Sequence, residues 1–134
     1  MPTVHVTVTQ LDHSASAAEA RGHRLTIDRP EAKGGQDTGP MGGEALLMGL
    51  GGCFMSNLLA AARARGIALD AARAEIDGEL ADAPPRYTAV RMRVSARCEP
   101  ADALAKLVLV AERGCIVANT LRAALDLSVE TVAE

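Results

Sequence analysis

The segment EALLMGLGGCFMSNLLAAARARG (44–66) carries no charged side chain between Ala45 and Ala62. Its larger apolar residues recur at helical spacing, and Gly66 is a suitable residue to end a helix. These apolar residues are Leu46, Leu47, Leu50, Phe54, Leu58 and Ala61. A helix that is apolar on most sides is normally buried on most sides. The sequence therefore predicts a long buried helix at the centre of the fold.

The N-terminal third predicts strands and loops. In TVHVTVT (3–9) valines alternate with polar residues, which indicates a half-buried strand. HRLTIDR (23–29) is typical of a second, short strand. The small and polar residues 12–20 predict a loop, and the Gly- and Pro-rich residues 30–43 predict another. Loops as long as the second are often functional or mobile.

After the long helix, two segments alternate between apolar and charged residues, around 74–80 and 90–98. They predict an antiparallel hairpin with one apolar face and one charged, solvated face. In the expected register Asp77 lies opposite Arg91, and Glu75 lies opposite Arg93. Each such pair of opposite charges contributes about 0.2–1 kcal/mol.

The C-terminal third predicts a helix over 100–114, a short helix over 115–125 that begins at Cys115, and a last strand over 126–132. The resulting element order is β-β-α-β-β-α-α-β. We therefore expect one α+β domain over 1–134.

Composition excludes several classes of function. A net charge of −3, one Phe, one Tyr and no Trp leave neither a basic surface nor aromatic platforms for nucleic acid. No run reaches the roughly 18 consecutive apolar residues of a membrane helix, and the N-terminus does not resemble a signal peptide. The three histidines show no metal-ligand spacing. We expect a cytoplasmic protein that binds neither nucleic acid nor membrane and holds no metal.

Three cysteines are the candidate reactive groups. Cys98 falls on the apolar face of its strand, which favours an inert core position. Cys53 is either a buried core cysteine or a reactive one. Gly51 and Gly52 beside it each cost about 1 kcal/mol of helix stability, so we expect another helix or a substrate to approach there. Cys115 opens a helix, where backbone N–H groups favour a thiolate.

Cys53 and Cys115 are far apart in the sequence, so they form neither a CxxC redox loop nor a zinc knuckle. If their sulfur atoms meet in the fold, one thiolate reduces an oxidant and becomes a sulfenic acid. The second thiol then condenses with it to a disulfide.

The stretches GGQDTGP, GEALLMGLGGC and GCIVANTL together resemble the OsmC/Ohr family. The resemblance implies an α+β fold in an intertwined homodimer with two active sites at the interface. It also implies a thiol-dependent peroxidase that reduces organic hydroperoxides, holds no bound cofactor and is recycled by an external dithiol or lipoyl-type reductant. By position, Cys53 resembles the peroxidatic cysteine and Cys115 the resolving one.

In the family, a glutamate upstream of the first cysteine pairs with an arginine that stabilises the thiolate. Glu44 is the candidate here, although about 2.5 helical turns separate it from Cys53. The alternative for Glu44 is a favourable charge at the helix N-terminus. Arg29 is the first choice for the arginine and Arg24 the second, and the alternative for both is a solvated surface charge. Without a nearby cation, we expect burial to raise the pKa of Cys53.

We expect an apolar lining that favours alkyl or lipid-like peroxides over hydrogen peroxide. The predicted lining residues are Leu46, Leu47, Leu50, Phe54, Met55 and Ile116. The alternative function is a non-catalytic OsmC-like protein that binds a small apolar ligand or senses redox state. The sequence leaves the physiological peroxide and the reductant open.

Overall fold

The computed structural model describes residues 1–133. Residues 1–46 form one compact unit, and residues 47–133 belong to a second. The strands are β1 (Thr7–Gln10), β2 (Ser16–Ala20), β3 (His23–Ile27), β4 (Ala68–Asp82), β5 (Pro85–Glu99) and β6 (Asp126–Thr131). The helices are α1 (Gly42–Ala64), α2 (Ala103–Arg113) and α3 (Ile116–Arg122). The predicted α+β class is confirmed, and the predicted order holds except for one additional strand.

The additional strand is β2, which pairs antiparallel with both β1 and β3. The prediction of a loop over 12–20 was wrong for Ser16–Ala20, because pairing on both sides overrides the weak strand preference of small residues. Ala17, the second residue of β2, is fully buried. β1 itself is exposed along its length, and Val4, Val6 and Val8 are all more than half exposed. The prediction that this valine face is half-buried was therefore wrong for the single chain.

The loop after β3 is organised by the buried carboxylate of Asp28. Its oxygens accept hydrogen bonds from the N–H groups of Arg29 (2.7 Å), Gln36 (3.2 Å) and Thr38 (3.2 Å), and from the Thr38 hydroxyl (2.7 Å). The Thr38 hydroxyl is the largest cause that holds the pKa of Asp28 far below its usual range, although burial opposes the shift. One ionised side chain therefore joins the two ends of this loop, on either side of a short 3-10 helix at Glu31–Lys33.

Helix α1 packs one face into the core of the second unit. Leu50, Phe54 and Leu58 are fully buried on that face, whereas Leu46, Met48 and Leu59 are exposed. The prediction of a helix buried on most sides was wrong for the single chain. By length and composition α1 also meets the criteria for a membrane-spanning helix, as core helices of other proteins do. Because its largest side chains pack in the protein core, we interpret it as a core helix.

The second sheet has the order β4-β5-β6, with β4 and β5 antiparallel and β6 parallel to β5. The predicted hairpin register is confirmed, since Asp77 lies opposite Arg91 and Glu75 opposite Arg93. The ion pairs on this face are partly diagonal, because Arg93 reaches Asp77 at 2.9 Å and Glu75 only at 4.0 Å. The apolar face of β5 meets α1, α2 and α3 in one buried cluster.

Candidate functional site

Cys53 lies on α1, half-buried and packed against the core. The two glycines before it have different surroundings. A Cβ atom at Gly51 would come within 2.5 Å of the Ile76 Cδ1 atom, whereas nothing lies within 4 Å of the same position at Gly52. The expected close approach therefore occurs at Gly51. The approaching element is strand β4, rather than the helix or substrate that the sequence suggested.

Cys115 caps the N-terminus of α3 and is fully buried. Its sulfur accepts a hydrogen bond from the Ala118 N–H at 3.4 Å. The first N–H groups of a helix have no carbonyl partner within the helix. The N–H groups of Ile116 and Val117 thus remain available to an acceptor outside α3.

That acceptor is Cys53. Its thiol lies close enough to the Val117 N–H, the Cys115 thiol and the Ile116 N–H for each of the three to lower its pKa. All three cysteines of the chain are free thiols in this structure. The fold therefore brings Cys53 and Cys115 side by side at the first turn of α3.

The pKa values of the two thiols move in opposite directions. Burial acts to raise the pKa of Cys53, but the Val117 N–H, the Cys115 thiol and the Ile116 N–H together lower it below its ordinary 9.0. Burial raises the pKa of Cys115, and the adjacent Cys53 adds to this, while the Ala118 N–H opposes it. Cys53 is therefore the sulfur that ionises first.

Two expectations about charge were wrong. The helix start was expected to favour a thiolate at Cys115, yet two of its N–H groups serve Cys53 instead. Cys53 was also expected to need a cation to avoid a raised pKa. Its pKa is lowered by backbone amides and a thiol, because a thiolate gains strongly from hydrogen bonds to its charged form.

Glu44 lies in the first turn of α1, where its Oε1 atom accepts a hydrogen bond from the Met41 N–H at 2.8 Å. This contact is the carboxylate half of a capping box. It agrees with the alternative reading of Glu44 as a charge at the helix N-terminus. A role for Glu44 in activating Cys53 stays a prediction.

Both candidate arginines belong to the first unit. Arg24 on β3 lies 3.8 Å from Glu19 in an exposed ion pair. Arg29 follows β3 and lines a cavity of about 400 Å³ together with Lys33, Met41 and the start of α1. That either arginine acts on Cys53 stays a prediction.

The predicted apolar lining is wrong at two positions. Leu50 and Phe54 are fully buried core residues, so neither presents a surface to a substrate. Leu46 and Ile116 are exposed, and Ile116, directly after Cys115, is 74% exposed. Ile116 is thus a large, exposed apolar side chain directly beside Cys115 in the sequence.

Sequence reasoning missed Asn57, which lies one helical turn beyond Cys53 on α1. Its Nδ2 atom donates a hydrogen bond to the Ala111 carbonyl of α2 at 3.3 Å. An asparagine four residues after a cysteine, within a stretch of α1 that holds no charged residue, was the available signal. Among residues 1–133, no group of three or more His, Cys, Asp or Glu side chains is arranged to hold a metal ion.

Comparison with known proteins gives a consistent picture. A family model described as OsmC-like protein matches residues 34–130. A search of curated proteins finds no significant match. Among solved structures, an OsmC like protein from Mycoplasma pneumoniae superposes with a TM-score of 0.84 at 18% identity, covering 98% of this chain and 97% of that chain.

Two further solved structures carry a functional description. The organic hydroperoxide resistance protein OsmC from Legionella pneumophila has a TM-score of 0.72 at 18% identity and covers 98% of this chain and 97% of that one. The organic hydroperoxide resistance protein OhrB of Bacillus subtilis has a TM-score of 0.65 at 19% identity, with 97% and 98% covered. At these identities the likeness shows a shared fold.

Proposed function

The chain belongs to the OsmC-like protein family, and we propose that it is a thiol-dependent peroxidase that reduces organic hydroperoxides. Cys53 is the peroxidatic cysteine and Cys115 the resolving cysteine. An external dithiol, such as a lipoyl-type reductant, returns the enzyme to its starting state. Two structural relatives that are described as organic hydroperoxide resistance proteins support the choice of substrate class.

One observation carries the proposal: the two sulfurs are adjacent and their pKa values move apart, down at Cys53 and up at Cys115. A peroxidatic cysteine must be a thiolate at working pH, because the thiolate is the nucleophile. A resolving cysteine needs only to reach the oxidised sulfur. Cys53 is also the more exposed of the two, since Cys115 is fully buried.

The reaction proceeds in three steps. The Cys53 thiolate attacks the terminal oxygen of the hydroperoxide, so that an S–O bond forms, the O–O bond breaks and the alkoxide leaves as the alcohol after taking a proton. Cys53 is then a sulfenic acid. The Cys115 sulfur attacks the Cys53 sulfur, the hydroxyl leaves as water with the Cys115 proton, and a disulfide forms. The external dithiol reduces this disulfide by thiol exchange and is itself oxidised.

The test measures consumption of t-butyl and cumene hydroperoxide together with the loss of free thiols. We expect the wild-type chain to lose both thiols of the pair for each peroxide reduced. Cys53→Ser should consume no peroxide, and Cys115→Ser should stop at the sulfenic acid, which dimedone traps on Cys53. Cys98→Ser is the matched control and should behave as wild type. Equal peroxide consumption by wild type and Cys53→Ser would refute the proposal, and no consumption by either would favour the non-catalytic, ligand-binding alternative.

We further propose that the enzyme works as a homodimer. The support is the exposed apolar surface of the single chain, which includes Leu46, Met48 and Leu59 on α1 and the valines around β1. Exposed apolar patches of this kind commonly mark protein interfaces. Light scattering coupled to size exclusion should give the mass of two chains, and a monomer at micromolar concentration would contradict this part of the proposal.

A further inference from the structure

The corner between α2 and α3 determines where Cys115 lies and where the first N–H groups of α3 point. The last turn of α2 leaves carbonyl groups without partners inside the helix. Two of these carbonyls accept hydrogen bonds from the backbone. The Gly114 N–H donates to the Val110 carbonyl at 3.3 Å, and the Cys115 N–H donates to the Glu112 carbonyl at 3.2 Å. These two bonds shape the corner but do not connect it to another element.

The other two carbonyls of this turn accept hydrogen bonds from asparagine side chains on different helices. Asn119 of α3 donates to the Arg113 carbonyl at 3.1 Å, which joins α3 to α2. Asn57 of α1 donates to the Ala111 carbonyl at 3.3 Å, which joins α1 to the same corner. Asn57 also packs closely on Gly114, because a Cβ atom there would lie 3.5 Å from its Nδ2 atom.

Asn57 is therefore the side chain that fixes the corner relative to the helix that carries Cys53. The two residues are four positions apart on α1 and so lie on the same face. We propose that Asn57 is a positioning residue, whose bond to the Ala111 carbonyl holds Cys115 and the N–H groups of Ile116 and Val117 around the Cys53 sulfur. This inference rests on the proposed function, because Asn57 affects catalysis only if Cys53 and Cys115 carry it out.

A residue that only stabilised the fold would lower the melting temperature and leave the chemistry of Cys53 unchanged. A positioning residue also changes the ionisation of Cys53, because the N–H groups that stabilise its thiolate move away. It slows disulfide formation as well, because the two sulfurs meet less often. Both properties are measurable without a peroxide.

The experiment compares Asn57→Leu and Asn57→Ser with the matched control Asn119→Leu. Leucine is close in size to asparagine and removes the donor. Serine is too short to reach α2, and its hydroxyl can bond to its own helix, as the Ser56 hydroxyl does to the Gly52 carbonyl. Asn57→Ser therefore provides a second variant in case Asn57→Leu does not fold. Asn119→Leu removes the other side-chain cap of the same corner, together with the acceptor of a hydrogen bond from Arg122, and both lost bonds are to α2 or α3 rather than α1.

Two rates are measured in the full chain. The first is alkylation of reduced Cys53 by iodoacetamide across a pH series, followed by mass spectrometry of the Cys53 peptide. The second is formation of the Cys53–Cys115 disulfide with diamide, which oxidises two thiols and is itself reduced to the hydrazine. For both Asn57 variants we expect each rate at neutral pH to fall roughly two- to tenfold, the equilibrium equivalent of one lost hydrogen bond.

Asn119→Leu should keep both rates at the wild-type value, while its melting temperature falls about as far as those of the Asn57 variants. Wild-type rates in the Asn57 variants, or an equal fall in Asn119→Leu, would overturn the positioning role. A wild-type chain that leaves hydroperoxides intact would refute the proposed function alone, since neither rate depends on a peroxide.

Discussion

The corner that holds Cys53 and Cys115 differs instructively from the strand that holds Cys98. Cys98 lies on β5 opposite Leu69 of β4, half-buried against the core. In a sheet the backbone N–H groups are directed at neighbouring strands, whereas the first turn of a helix leaves its N–H groups without partners. At α3 those groups surround two sulfur atoms. Under the proposed function, we infer that backbone geometry, more than residue type or burial, decides which thiol of this chain reacts.

The largest expected effect is the difference between the alkylation midpoints of the two cysteines at the corner. In a pH series with iodoacetamide, the alkylation midpoint of Cys53 should lie below 9.0 and that of Cys115 above it. At neutral pH, Cys53 should therefore be modified far faster than Cys115. Mass spectrometry of the two peptides gives both midpoints. A single shared midpoint would remove the distinction on which the assignment of roles rests.

The same two pKa shifts make the free energy of unfolding depend on pH in opposite directions. The folded pKa of Cys53 lies below the unfolded value, so its contribution is fully present above pH 9.0 and is lost as the pH falls through the folded pKa. The folded pKa of Cys115 lies above the unfolded value, so its contribution is present below pH 9.0 and is lost as the pH rises through the folded pKa. Replacing either cysteine with serine should expose the pH dependence of the other in urea unfolding.

A smaller effect is expected from Ile116→Pro, which removes one N–H group from the corner. Ile116 is the first residue of α3, where proline is well tolerated, and Cys115 before it already has the extended backbone that proline requires (φ −80°, ψ 112°). The helix should persist while Cys53 alkylation at neutral pH slows roughly two- to tenfold.

Ile116→Ala is the control for this change, because it removes the same exposed side chain and keeps the N–H group. It should leave the alkylation rate of Cys53 unchanged. Equal slowing in both variants would assign the effect to the side chain and contradict the role of the amide.

The smallest effect concerns the two glycines that precede Cys53. Gly52→Ala should raise the free energy of unfolding by up to about 1 kcal/mol, because alanine favours a helix and meets no atom within 4 Å. Gly51→Ala should lower it by about 1 kcal/mol, because its methyl group displaces the Ile76 side chain. Urea unfolding measures both. Destabilisation by Gly52→Ala would place another surface, such as a partner subunit, against that side of α1.

Much of the fold was predictable because its signals are local. Alternation of charged and apolar residues predicted the β4–β5 hairpin and its register, and helical spacing predicted α1. The strand at Ser16–Ala20 was missed because its small residues carry little pattern of their own. The burial of α1 and β1 was overestimated because an apolar pattern indicates which face of an element tends to be covered, and does not show that another part of the chain covers it.

For the site, the sequence named a cysteine pair but not its electrostatics, and the catalytic roles assigned to its residues stay predictions. The resemblance paired Cys53 with Cys115, and the fold places them side by side. Which sulfur receives the N–H groups of α3 depends on how α1 packs against a helix that begins some sixty residues later in the chain. Asn57 was missed for the same reason, since its acceptor on α2 is remote in the sequence.

The Asp28 carboxylate holds its loop mainly through main-chain groups. Three of its four hydrogen-bond donors are main-chain N–H groups, at Arg29, Gln36 and Thr38. Any residue except proline supplies such a donor, so the side chains at Arg29 and Gln36 are free to change without loss of the loop's shape. Related chains with dissimilar residues at these two positions should therefore share the same loop conformation, provided that they keep the carboxylate and the glycines at positions 35 and 39, where a Cβ atom would overlap main-chain atoms.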